Sequence, residues 1–303
     1  MKYGDLLNSC MLCKRECGVD RLSGKIGVCA ANDKLKIARA ELHLWEEPPI
    51  SGEKGSGTVF FSHCNLKCVF CQNHEISQEY GGAYITIERL SEIFLELQAK
   101  GANNINLVTP THYVPQLMEA LDIAKSNGLS LPILYNTNGY DRLETIKLLD
   151  GYIDVYLPDF KYFNDKFAVK YSKADKYLEN ILPLLKEMVR QTGPATFNDK
   201  GTIKKGVIIR HLMLPGLLFD SKKVIDKIYD AFGDDVYISI MNQYTPMNKA
   251  SDYPEINKHL NPKHYDSLIN YAAEIGVTNG FIQDEGANTE EFVPSFKLEG
   301  VFK

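Results

Sequence analysis

The sequence predicts an α/β fold, a parallel sheet wound by helices in six βα units behind a small cysteine-rich, metal-binding segment. Three observations carry this. From about Gly57 onward, short apolar runs bounded by Gly, Pro or Asn alternate with stretches of helical period, the pattern of a parallel sheet covered by helices. The chain has 303 residues, 44% hydrophobic and 24% charged, enough to bury one large core with an appendage. All seven cysteines fall in two groups between residues 10 and 71. The implied division is a Cys-rich segment over residues 1–52 and a βα region with a C-terminal extension over 53–303.

The predicted strands are 58–62, 104–108, 132–136, 153–157, 206–212 and 236–241, each short and apolar. Thr86 is the N-cap of the helix after the first strand. Ile87, Leu90, Ile93, Phe94 and Leu97 recur at helical spacing there, and Gly101 stops it. Pro115 starts the next helix, which runs to about Asn127 and Gly128. Later helices are expected at 143–149, 177–189, 224–232 and 265–275. Residues 191–205 read as a polar surface loop, and 280–286 as a strand-like start with an acidic end. A doubly wound sheet and a barrel give the same alternation, and in both the chemistry lies at the C-terminal ends of the strands.

One such end carries Cys64, Cys68 and Cys71, spaced Cys-x3-Cys-x2-Cys. Three thiolates can hold three irons of a four-iron, four-sulfur cluster and leave the fourth open to a substrate, whereas four-Cys electron carriers cover every iron. A structural zinc fits poorly, because such sites are closed and tetrahedral and His63, next to Cys64, must turn back sharply to serve as fourth ligand. The spacing, with Phe70 before the third Cys, resembles the radical S-adenosylmethionine (SAM) superfamily. That resemblance implies a partial (β/α)6 radical SAM barrel, a cluster whose open iron chelates SAM, and Phe70 and Asn73 as cofactor-binding positions.

The net charge of −5 shows no basic footprint for nucleic acid. No apolar run approaches the ~20 residues that span a bilayer, and residues 1–7 lack the apolar core of a signal peptide. A cytoplasmic location is expected, with cysteines used for metal rather than disulfides.

The other group is Cys10, Cys13, Cys17 and Cys29, set among Gly18, Gly24 and Gly27. Four thiolates on a glycine-rich loop suit a wrapped metal. Zinc, a second iron–sulfur cluster and reduced structural thiols all remain open. The expectation is a closed site that folds the N-terminal segment, apart from the Cys64 group.

Over nearly its whole length the chain resembles radical SAM proteins related to the pyruvate formate-lyase activating enzyme, especially the activating-enzyme-like branch. The matching stretches are 12–21, 43–52, 55–62, 106–113, 156–162 and 241–246. The resemblance implies a one-electron donor such as flavodoxin or ferredoxin, cleavage of SAM to a deoxyadenosyl radical, and hydrogen abstraction. The substrate is a glycyl-radical enzyme partner, or a small molecule or peptide. A non-enzymatic electron carrier is the competing class.

One departure stands out. Where activating enzymes carry a Gly-Gly-Glu-like turn for the SAM amino group, this chain has Thr109, Thr111 and His112. Hydroxyls, carbonyls or a neutral imidazole can accept from an ammonium, although His112 also fits a solvent-exposed helix start. Asn136 and Asn138, at the third strand end, suit ribose hydroxyls or a simple turn. Asp159 and Lys161 share a face of an extended strand end. By resemblance Lys161 contacts the SAM carboxylate and Asp159 positions it, with a solvated ion pair as the alternative. Arg210, charged within the fifth strand, is a candidate for a substrate or SAM carboxylate. Gln243 and Tyr244 match nucleoside contacts. His43, Trp45, Glu46 and Glu47 are expected to pack against the barrel mouth, with His43 or Glu46 lining the substrate cavity and the adjacent carboxylates pointing apart.

Overall fold

The structure is a computed structural model that describes residues 3–283 and 294–303. Among these residues one sheet contains β1 (Leu35–His43), β2 (Ser56–Phe61), β3 (Ala83–Ile85), β4 (Ile105–Val108), β5 (Ile133–Thr137), β6 (Val155–Pro158), β7 (Thr196–Phe197), β8 (Ile203–Leu212), β9 (Tyr237–Met241) and β10 (Gly280–Ile282). The helices are α1 (Pro48–Ser51), α2 (His74–Ser77), α3 (Ile87–Ala99), α4 (Val114–Ser126), α5 (Leu143–Leu148), α6 (Asp165–Ser172), α7 (Tyr177–Thr192), α8 (Leu218–Phe232) and α9 (Pro262–Glu274).

All six predicted strands are present, as β2, β4, β5, β6, β8 and β9, and they pair in parallel in chain order. A doubly wound sheet reverses its strand order at a switch point. Here the order never reverses, so right-handed crossovers put the helices on one face and leave the other as an interior. The sheet path ends at β3 and β10. This mostly parallel, open arrangement is that of a partial barrel.

Thr86 caps α3 by accepting from the Arg89 amide, and Pro115 sits in the first turn of α4. Other elements escaped the periodicity. Strand β1 pairs antiparallel with β2 and β3. The 191–205 stretch contains β7, folded back antiparallel on β8, so it is a hairpin rather than a plain loop. Helix α8 begins at Leu218 rather than 224, and α6 was not predicted. The strand-like start at 280 is β10, parallel to β9; the acidic end at Asp284, Glu285 and Gly286 lies outside the described residues.

Strand alternation sets what the interior holds. Tyr135, Tyr156 and Ile209 join the main core, while Leu134, Val155, Leu157 and Ile208 pack inside with Ile50 of α1. Two residues further along the same inner face come Asn136, Asp159 and Arg210, all on one cavity. The interior is therefore apolar toward the strand starts and polar at the strand ends, where the helix layer no longer covers the backbone.

Candidate active site

The polar strand ends enclose a cavity of about 220 Å³, with Cys64, Cys68 and Cys71 on its wall. His63 turns the chain off β2 with φ +74°, a conformation uncommon outside glycine. The loop is then pinned to the end of α6, where Lys67 and Val69 amides donate to the Ser172 and Tyr171 carbonyls at 3.1 and 2.8 Å. Each sulfur has a polar neighbour. The Leu66 amide and Asn138 side chain donate to Cys64 at 3.4 Å each, Ser172 Oγ lies 3.1 Å from Cys68, and Ser77 Oγ lies 3.3 Å from Cys71.

Burial pushes the Cys64 thiol up to about 12 and Cys71 to about 11, with Cys68 adding to both. Cys68 is raised as well, burial outweighing the neighbouring Lys161 ammonium. A metal centre reverses this by binding the thiolates directly. The three sulfur donors, their hydrogen bonds and the adjoining cation fit a cluster that carries net negative charge on its ligands.

Lys161 Nζ lies 2.6 Å from Asp159 Oδ2, and both line the cavity. Burial works against the Lys161 ammonium, but Asp159 and Cys68 outweigh it and raise its pKa. Asn136, Asn138, Phe70, Asn73, Gln243 and Tyr244 also stand on the wall. Phe70 and Tyr244 are 5.8 Å apart between ring centroids, and Tyr244 is held by its hydroxyl on the Ile256 carbonyl at 2.8 Å.

Two expectations at the second parallel strand's end are corrected. Thr109 lines the cavity, in a left-handed conformation with φ +57°, but Thr111 and His112 do not. His112 is buried rather than at the mouth or in solvent, its Nε2 bonded to the Ser62 carbonyl at 2.8 Å. Thr111 is buried beside Tyr135. The turn after Thr109 carries both behind the sheet, which strand-end counting does not register.

Arg210 lines the cavity, yet its guanidinium already holds carboxylates of this chain. Nε donates to Glu47 Oε1 at 2.8 Å, Nη2 also reaches Glu47 Oε2, and Nη2 lies 2.5 Å from Glu46 Oε2. The adjacent carboxylates converge instead of pointing apart, because the turn into α1 aims both at β8. Burial disfavours the Glu47 carboxylate, but Arg210 wins and lowers its pKa. His43, Trp45 and Glu46 line an adjoining chamber of about 140 Å³, which shares Arg210, Asn136 and Gln243 with the first cavity.

A sequence profile of the Radical SAM superfamily matches residues 58–227, more than half of the chain and including every cavity cysteine. The chain belongs to the radical SAM superfamily. It is a radical SAM enzyme, and its cofactors are a four-iron, four-sulfur cluster and SAM. It is 30% identical over 280 residues, 88% of this chain and 75% of the relative, to uncharacterized protein MJ0674 of Methanocaldococcus jannaschii. Its fold is similar to Streptococcus suis SuiB bound to S-adenosylmethionine, with TM-score 0.51 and 15% identity over 74% of this chain and 49% of that one. It is likewise similar to the FeFe-hydrogenase maturase HydG of Carboxydothermus hydrogenoformans, with TM-score 0.52 and 14% identity over 78% of this chain and 56% of that one. The chain thus spans about half the length of these solved structures. No described helix is long and apolar enough to cross a membrane.

In this radical SAM enzyme the N-terminal cysteines are not set apart from the catalytic loop. Cys13 bridges to Asp141 just after β5, and Lys14 N donates to the Tyr140 carbonyl at 3.1 Å. Arg15 Nε donates to the Asn65 carbonyl at 2.9 Å, inside the Cys64 loop. Two residues around the cysteines escaped sequence reasoning. Ser172 is 104 positions from Cys68, with no local signal to mark it. Asn65 had one signal, its place inside the cysteine motif; it is fully buried and accepts from Asn138 at 2.7 Å.

Proposed function

We propose that this radical SAM enzyme belongs to the activating-enzyme-like branch, binds SAM between the Cys64 group and the Asp159–Lys161 pair, and admits its substrate past His43 and Glu46. The observation that carries the reading is the convergence of three cysteines, a carboxylate-held lysine and two asparagines on one cavity at the strand ends. When bound, the cluster supplies the electron that cleaves the SAM sulfonium, giving methionine and the deoxyadenosyl radical that abstracts hydrogen.

The chain's residues have separate tasks in this reading. Lys161 meets the SAM carboxylate, and Asp159 holds the lysine charged and aimed. Asn136 and Asn138 face the ribose hydroxyls, Phe70 and Tyr244 flank the adenine, and Thr109 takes the ammonium in place of a Gly-Gly-Glu turn.

Two substrate classes have support. The sequence resemblance supports installation of a glycyl radical on a partner protein. The narrow second chamber, with His43, Glu46 and Arg210 on its wall, supports a small polar molecule. Anaerobic reconstitution followed by assay for deoxyadenosine tests the SAM chemistry, and Cys64→Ala that cleaves SAM as well as wild type would overturn it. Incubation with glycyl-radical enzymes separates the classes: a protein-based glycyl signal supports the first, and its absence alongside substrate-dependent deoxyadenosine release supports the second.

A further inference from the structure

The chamber that adjoins the cysteine cavity has an uneven charge balance. Among the described residues, His43, Glu46 and Arg210 are the titratable groups on its wall. Glu47 lines neither cavity, yet both of its oxygens hold the Arg210 guanidinium from behind. The Arg210 charge is thereby matched before Glu46 is counted, and Glu46 is left as a surplus carboxylate on the chamber side.

The nearby cations are otherwise engaged. Burial lowers the His43 pKa below its ordinary value and Glu46 does not offset that, so the ring is neutral near pH 7. Arg39, whose charge is also felt at His43, is paired with Glu299 at 3.1 Å. Lys161 and Asp159 match each other at 2.6 Å on the first cavity's wall and do not line the chamber.

Hydrogen-bonding capacity is uneven in the same sense. Glu46 Oε1 accepts from Asn106 Nδ2 at 2.9 Å, and Oε2 accepts from Arg210 Nη2 at 2.5 Å, which leaves about half of the carboxylate's lone-pair sites open. Asn106 is 0% exposed and sits two residues before the wall residue Val108, on the same strand face. Its Oδ1 has no donor, a costly state for a buried carbonyl oxygen. The Glu46 end of the chamber therefore has acceptors in excess and lacks donors.

The rest of the wall suits an alkyl stem. Phe60 and Trp45 flank the chamber, and Phe60 meets the His43 ring edge-on with centroids 6.2 Å apart. Aromatic faces attract a cation and cover the methylenes behind it. Trp45 is 61% exposed, which places it at the opening. Asn136 and Gln243 lie on the wall of both cavities and lead the chamber toward the cysteines.

We propose that this chamber selects a small organic molecule by a primary ammonium group seated on Glu46, with the carbon chain reaching past Asn136 and Gln243 toward the cysteine cavity. The proposal rests on the small-molecule reading above and names the charge of that substrate. A compact ammonium brings three donors and no acceptor, which is what this wall lacks. A carboxylate would meet Glu46 as a like charge. Arg210 is a positioning residue here, holding Glu46 in place rather than binding substrate itself.

The test uses the full chain, reconstituted anaerobically and loaded with SAM. It is titrated with n-butylammonium, butyrate and 1-butanol, which share one carbon skeleton and differ in charge. Occupancy is read from the heat of binding and from the emission of Trp45, the chain's single tryptophan. Butylammonium is expected to half-saturate at a concentration about tenfold or more below the other two. In Glu46→Gln that preference should vanish, while iron content and the response of the reduced cluster's spin-resonance signal to SAM stay as in wild type. The wild-type preference stands as a test by itself where the variant fails to fold. Equal binding of the three, a preference for butyrate, or a preference that survives Glu46→Gln overturns the proposal and leaves the small-molecule reading standing. Binding of none overturns both. A blocked lysine peptide that binds more tightly than butylammonium overturns the small-molecule source and moves the ammonium onto a polypeptide. A wild-type cluster signal that ignores SAM overturns the SAM reading, while Trp45 still reports the chamber.

Discussion

Arg210 of β8 and Glu47 at the start of α1 meet in a two-point ion pair although 163 positions separate them, with Nε to Oε1 at 2.8 Å. Glu46 joins them at 2.5 Å, and all three side chains are about nine-tenths buried. The pair ties the segment entering the barrel to the strand whose Arg210 cation lines the cavity.

Removing that cation leaves two adjacent buried carboxylates without a partner. Arg210→Met is expected to lower stability by about 3–5 kcal/mol, read as a shift of the urea midpoint with unchanged slope. A midpoint within error of wild type would mean that solvent reaches both carboxylates and the pair is not the tie described.

Lys161→Met keeps the stem's bulk and deletes the ammonium beside Asp159. SAM affinity is expected to fall about tenfold to a hundredfold, a loss of about 1.4–2.8 kcal/mol, with iron content unaltered. Titrating SAM against the reduced cluster's spin-resonance signal measures it. Equal affinity would remove Lys161 from the carboxylate contact.

His211 provides a pH dependence. Burial pushes its pKa down to about 4, against the bond to the Phe160 carbonyl and with help from Lys161. Because the unfolded ring titrates near 6.5, the unfolded state binds more protons between these values, so stability is full above about 6.5 and falls as pH drops toward 4. The loss is on the order of 3 kcal/mol. In His211→Asn, urea midpoints measured from pH 7 to 4 should fall less steeply than in wild type; parallel curves would exclude this ring as a source.

Gly139 has φ +74°, and a Cβ there would sit 2.5 Å from Ile181 Cδ1 and 2.6 Å from the Asp159 carbonyl. Gly139→Ala is expected to cost about 2 kcal/mol or more and to displace Asp159. SAM cleavage should drop further than iron content does, measured as deoxyadenosine released per cluster. Wild-type cleavage would show that the Asp159 backbone is free to shift without consequence.

Much of this was readable from local chemistry. Apolar runs six times bounded by Gly, Pro or Asn marked the parallel strands, because a strand buried on both faces must be apolar throughout. The spacing of Cys64, Cys68 and Cys71 marked the cluster, since one short loop can present three thiolates only at such intervals. Asp159 and Lys161 were legible because two residues along a strand share a face.

Other features have no local trace. Strand β1 and the short β7 are held by their antiparallel partners, and pairing partners are not encoded within the strands themselves. His112 occupies a plausible strand-end position but turns behind the sheet to bond Ser62. The meeting of Glu46 and Glu47 at Arg210, of Ser172 with Cys68, and of Asn65 with Arg15 and Asn138 depends on long-range closure of the chain. Each is a contact between residues whose spacing along the sequence is arbitrary. Periodicity can report which face a side chain takes, but folding alone brings distant faces within hydrogen-bonding distance.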